Sequence, residues 1–157
     1  MHPSIVVIDD NADHIELVGF ALQASGESSC ACFQDASAAV SFLLDSGRDA
    51  PRQSAVRLVL LDLKLGPVSG FDVLRQLRRS PETAHLPVVV FSSSLLQEDV
   101  YRAYEAGANA FLCKPLGFDE LVVVLRAVSR FWLGKNSMVG DRLLRYGQAP
   151  AVPPSVP

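Results

Sequence analysis

Apolar and polar positions alternate along this chain in two rhythms. Short continuous apolar runs stand at Ile5–Ile8, Ser29–Phe33, Leu58–Leu61, Val88–Phe91 and Ala110–Leu112. Four of the five are apolar nearly throughout, the pattern of strands covered on both faces. Between them the spacing changes to that of helices. Ile15, Val18 and Leu22 share one stripe, as do Ala39 and Leu43, then Phe71, Leu74 and Leu77 or Arg78. Val100 and Tyr104 mark a further helix that Gly107 ends. Asp10 or Asn11, Ser37 and Ser69 are the expected helix starts, since their side chains can accept from free N–H groups of a first turn. A strand followed by a helix, five times over, predicts an α/β fold: a doubly wound, five-stranded parallel sheet with helices on both faces.

Composition supports one folded unit. The chain has 157 residues, 49% hydrophobic and 20% charged, so it can bury a sizeable core. A net charge of −3 argues against a nucleic-acid partner, which would call for a basic face. No run approaches the roughly 18 apolar residues of a membrane span, and "MHPSIVV" lacks the features of a signal peptide. The expectation is a cytoplasmic protein with no membrane partner. The three cysteines fit that as reduced, packed thiols, with Cys30 and Cys32 on one face of their strand. A folded unit over residues 1–133 is expected, then an arm or tail over 134–157. With four prolines in the last eight residues, its end is expected to be extended or disordered.

The chemistry stands at the C-terminal ends of the apolar runs. Asp9 and Asp10 follow the first, Asp62 the third, Ser92 to Ser94 the fourth, and Lys114 the fifth. Ligands of an open parallel sheet bind outside those ends. Three carboxylates, a hydroxyl and an ammonium are therefore expected in one crevice. Three carboxylates together require a cation, and an all-oxygen donor set points to Mg²⁺ rather than zinc. With Lys114 and Ser92 beside it, the crevice suits a phosphoryl group.

The segments "VVIDDN", "LVLLDLKLGPVSGFDVLRQLR", "LPVVVFSSS" and "AGANAFLCKPLGFDEL" resemble, in order and spacing, the receiver domain of two-component response regulators. The likeness covers about residues 4 to 133. The terminal "VSRFWL" further resembles single-domain regulators associated with phytochrome histidine kinases. The resemblance implies the flavodoxin-like strand order 2-1-3-4-5. It implies that Asp62 accepts a phosphoryl group from a sensor histidine kinase, of the bacteriophytochrome kind if the likeness of "VSRFWL" holds. On the same resemblance Asp10 would bind Mg²⁺ directly and Asp9 through water or weakly, with Asp62 and the Lys64 carbonyl completing the protein ligands. Lys114 would pair with a phosphoryl oxygen, the Lys114–Pro115 bond would be cis, and Ser92 and Phe111 would act as the switch. The chain departs from the family pattern with Phe111 in place of a common tyrosine, and in the loop "LKLGPVSG". The 25 residues after Trp132 are too few for a DNA-binding module. Output is expected through protein contact or onward phosphotransfer, with no turnover of an external substrate. The alternative is a Mg²⁺-dependent phosphohydrolase with an aspartyl-phosphate intermediate. Resemblance to the haloacid-dehalogenase family would call for a general acid two residues after the nucleophile, and Lys64 stands there.

The last helix carries more apolar surface than a sheet-covering helix needs. Leu121, Leu125, Val128 and Trp132 form one stripe, and Val123, Val124, Ala127 and Phe131 a second beside it. A homodimer is expected through that second band, with Met138, Val139, Leu143 and Leu144 of the tail reaching across. A tail folded back in cis is the alternative.

Overall fold

The computed structural model describes residues 3–27, 29–49 and 56–138. Strands β1 (Ile5–Ile8), β2 (Cys30–Phe33), β3 (Leu58–Leu61), β6 (Val88–Ser92) and β7 (Ala110–Cys113) form one parallel sheet in the order β2-β1-β3-β6-β7. The labels β4 (Lys64–Leu65) and β5 (Val68–Ser69) belong to a separate antiparallel hairpin. Without it the order is the expected 2-1-3-4-5.

The central strands read as unbroken apolar runs because each face has its own core. Val6, Ile8, Val59, Leu61, Val88 and Val90 point one way. There they meet α2 (Ala36–Asp49), α3 (Gly70–Arg79) and Ala103 of α4 (Gln97–Glu105). Ile5, Val7, Leu58, Leu60, Val89 and Phe91 point the other way, onto α1 (Ala12–Ala24) and α5 (Phe118–Ser129). Successive side chains of a strand alternate faces, so one four-residue run serves both cores. Each fully buried Leu, Ile or Val contributes about 1.5–3 kcal/mol. The outer strands β2 and β7 are only half-buried, each lacking a neighbour on one side.

The helix starts follow capping chemistry, with one correction. Asn11 caps α1, accepting from the Asp13 and His14 amides, and Ser69 caps α3. Ser37 does not start α2. Asp35 does, its carboxylate accepting from the Ala38 amide at 2.7 Å, which leaves Ser37 inside the first turn. A carboxylate two residues earlier also answers the helix dipole. Helix α4 is seated by Ala103 rather than by Tyr104, which is exposed; a methyl side chain lets the helix lie close to the sheet. At its end Gly107 takes a φ of +105°.

Arg78 joins α3 to the loops beneath β6 and β7. Its guanidinium donates to the carbonyls of Gly107 (2.9 Å), Ala84 (3.2 Å) and Leu86 (2.8 Å) and to Asn109 Oδ1 (2.8 Å). Asn109 in turn accepts from the Val88 amide, fixing the start of β6.

Beyond α5 the chain widens into a π-helical turn, Arg130–Lys135, closed by the Asn136 amide on the Phe131 carbonyl. Leu121, Leu125 and Val128 are buried as expected and Trp132 is half-buried against the same core. Val123, Ala127 and Phe131 are exposed, but Val124 packs against the core and leaves the second band narrower than expected. The chain then turns back on itself. The Asn136 carbonyl accepts from Arg57 at 3.3 Å, and Met138 packs in cis against the core on the α2 side. Val139, Leu143 and Leu144 lie outside the described residues. The thiols are free, but Cys32 and Cys113 are exposed and only Cys30 is partly packed, because both strands stand at sheet edges.

Candidate functional site

Four strand ends meet at one rim of the sheet. Asp9 follows β1 and is 3% exposed; Asp62 follows β3 and is 9% exposed. Ser92 ends β6 and is buried, and Lys114 follows β7 with its amide bonded to the Ser92 carbonyl. A cleft of about 610 Å³ opens above Asp62 and Ser92, lined also by Asp10, His14 and Lys64.

Charge organises the floor. The Lys114 ammonium donates to Asp9 Oδ2 and, at 2.7 Å, to Asp62 Oδ2. Two buried carboxylates are thereby compensated by one cation; neither could remain ionised there unpaired at small cost. The other oxygen of each is also fixed: Asp9 Oδ1 accepts from the Asn11 amide at 2.9 Å, and Asp62 Oδ1 from the Lys64 amide at 3.3 Å. These bonds orient both carboxylates rigidly. Ser92 Oγ accepts from the Ser94 amide at 3.2 Å, and the Ser94 hydroxyl donates to Asp99 of α4. Phe111 of β7 lies half-buried against the core on the α4 side, paired in register with Val90.

The loop after Asp62 explains the departures in "LKLGPVSG". Gly66, at φ +68°, turns the hairpin, and Asp10 Oδ2 lies 3.8 Å from the position of a Cβ built there. Gly70 begins α3 directly against the backbone of Asp62 and Leu63, its amide bonded to the Leu63 carbonyl at 2.9 Å.

The structure brings the strand-end residues Asp9, Asp10, Asp62, Ser92 and Lys114 to one rim, with Lys64, named from the resemblance, on the cleft wall. One expectation is corrected: no cis peptide bond is found among the described residues, so Lys114–Pro115 is trans. The trans form is the preferred one for an X–Pro bond. Here it already lets the lysine reach both carboxylates. His14 was missed. It lies one turn into α1, where Cβ atoms tilt back toward the helix start, and so toward Asp9. Its Nδ1 is 3.6 Å from Asp9 Oδ2 and 3.2 Å from the Lys114 ammonium. Donor atoms of Asp9, His14 and Asp62 all lie within 4.8 Å of one another. Asp10 is exposed and stands outside that trio, on the cleft wall. Oriented carboxylate oxygens around a point now held by an ammonium fit a hard divalent cation.

The family model for the response regulator receiver domain matches residues 5–126. The chain is 35% identical over 140 residues to a probable methanogenesis regulatory protein, FilR2, of Methanothrix harundinacea, covering 87% of each chain. It is 30% identical over 132 residues to response regulator Rcp1 of Synechocystis sp., covering 82% of this chain and 88% of the relative. Among solved structures, the phosphorylated cyanobacterial phytochrome response regulator RcpA superposes with a TM-score of 0.74 at 26% identity, covering 88% of this chain and 99% of that one. The Mn²⁺-bound form of Rcp1 superposes with a TM-score of 0.70 at 27% identity, covering 87% and 99%. No helix among the described residues is long and apolar enough to cross a membrane.

Proposed function

This chain belongs to the family of response regulator receiver domains, and from that premise we propose that it is a phosphoacceptor switch whose acceptor is Asp62. The observation that carries the reading is the placement of Asp62. Its carboxylate stands at the floor of an open cleft, held between the Lys114 ammonium and the Lys64 amide.

Asp62 attacks the phosphorus of a phosphohistidine on a sensor histidine kinase. The P–N bond breaks, the electron pair leaves with the imidazole, and an acyl phosphate remains on Asp62. Lys114, already 2.7 Å from Asp62, follows the charge to a phosphoryl oxygen, and the Ser92 hydroxyl donates to another. Asp9, Asp10, Asp62 and the Lys64 carbonyl would hold Mg²⁺, which would supply positive charge beside the transferring group. When Ser92 is drawn to the phosphoryl group, its bond from the Ser94 amide is given up. Ser94 is tied to Asp99, so the change reaches α4, and space opens for Phe111 to move inward. The likeness to RcpA, a cyanobacterial phytochrome response regulator, favours a phytochrome kinase as the donor.

The test is Asp62→Asn, which keeps the shape and removes the nucleophile. Label transfer from a cognate kinase or from acetyl phosphate is expected to vanish. Uptake at the wild-type level in the variant would refute Asp62 as the acceptor.

The exposed row Val123, Ala127 and Phe131 favours a second element of the reading, a two-fold pair through α5. Sedimentation at micromolar concentration is expected to give a dimer that Phe131→Asp disrupts. A wild-type monomer with and without phosphorylation would refute it.

A further inference from the structure

We propose that His14 is a nitrogen ligand of the divalent cation in this cleft, giving the site a mixed donor set that favours Mn²⁺ and later transition ions over Mg²⁺. The inference rests on the metal-dependent reading above and adds to it the identity of a ligand and of the metal class.

Three donor atoms converge on one point. Asp9, Asp62 and His14 each direct an atom at the Lys114 ammonium, and those three atoms lie within 4.8 Å of one another. In an octahedral ion with bonds of about 2.1 Å, donors sit about 3 Å apart when adjacent and about 4.2 Å apart when opposed. The Asp9–His14 pair, 3.6 Å apart, must therefore contract by about 0.6 Å to reach the adjacent spacing, and a pair at the 4.8 Å limit by about as much to reach the opposed one. An ammonium has donors and no lone pair. Its 3.2 Å contact with Nδ1 assigns the acceptor lone pair to that atom, aimed inward. A neutral imidazole with its lone pair turned into a site is the metal-binding form of histidine. Carboxylates alone suit Mg²⁺, whereas imidazole nitrogen raises affinity along the series from Mn²⁺ to Zn²⁺.

Lys114 follows from the same geometry as the competitor. The ammonium and the cation claim the same three atoms, so metal entry displaces Lys114 from them. That displacement frees the lysine for an incoming phosphoryl oxygen.

The experiment loads wild-type protein, His14→Ala, His14→Gln and Lys114→Met with Mn²⁺. It reads electron spin-echo modulation for a directly bound nitrogen, and Mn²⁺ against Mg²⁺ affinity by competition. His14 is 41% exposed on its side chain, so its variants are expected to fold. The expected result is a nitrogen coupling in wild type and Lys114→Met that is lost in both His14 variants. Their preference for Mn²⁺ over Mg²⁺ should fall about tenfold or more, the scale on which even outer partners of a ligand act. Lys114→Met should bind Mn²⁺ more tightly than wild type. A coupling that persists without His14, or an unchanged metal preference, overturns the inference. Mg²⁺-dependent labelling of Asp62 without any nitrogen coupling overturns it alone. Failure of every variant to bind a divalent ion overturns it together with the metal-dependent part of the proposed function.

Discussion

Two glycine-to-alanine changes should move stability in opposite directions, and the difference isolates one close approach. Gly70 is the first residue of α3 and is not among the positive-φ glycines, so its backbone conformation is open to any residue. The demand for glycine there is steric. A Cβ at position 70 would overlap the Asp62 carbonyl oxygen, 2.7 Å from the Leu63 Cα and 3.1 Å from the Asp62 carbonyl carbon. Non-bonded carbons rest at about 3.5–4.0 Å, so helix and loop must part by about 1 Å. The obstacle is backbone and cannot rotate away. Overpacking of this kind costs about 1–3 kcal/mol, or about 3–9 °C in melting temperature for a chain of this length. Gly19, within α1, has nothing within 4 Å of its Cβ position. Gly19→Ala should therefore stabilise by about 0.5–1 kcal/mol through helix propensity. Urea and thermal melts of both variants under two-state conditions provide the assay. Because Gly70 rests on the backbone of Asp62, Gly70→Ala should also slow phosphorylation by acetyl phosphate, which Gly19→Ala should leave unchanged. A Gly70→Ala protein as stable as wild type would refute the steric reasoning. So would equal shifts in the two variants.

Arg78→Met removes the hub between α3 and the β6 and β7 loops, leaving the Leu86, Ala84 and Gly107 carbonyls without their donor. A loss of about 2–3 kcal/mol in urea unfolding is expected, and an unchanged midpoint would show that water satisfies those carbonyls. A hydrogen bond from Cys32 lowers the Cys30 thiol to about 7, against the opposing effects of burial and Glu27, while Cys32 itself is pushed up. The thiolate is the nucleophile, so Cys30 alkylation should rise through pH 7 and level off above it. Cys32→Ala should move that midpoint toward the ordinary value of 9.0, and a midpoint that stays near 7 would discard the hydrogen bond as its cause.

Local pattern alone determined the sheet and its functional rim. Unbroken apolar runs such as Leu58–Leu61 arise because both faces of a central strand are buried, and burial leaves the same mark wherever the run lies. Asp9, Asp62, Ser92 and Lys114 were legible because each ends its own run, and parallel strands carry their ends to one rim. Helix starts were legible where a single cap acts, as at Asn11 and Ser69. At α2 two residues competed, and Asp35 prevailed over Ser37. What lay beyond the sequence depends on distances between segments far apart in the chain. His14 enters the site because α1 docks so that its first turn faces Lys114, 100 residues away. Gly70 is required by contact with Asp62, and Arg78 finds carbonyls on two separate stretches, 84–86 and Gly107. Val124 turned inward, and Met138 packed against its own chain, because the angle at which α5 and its π-helical turn leave the sheet decides which apolar residues find a neighbour. Periodicity reports which face of an element is apolar; only the docking of elements decides what that face meets.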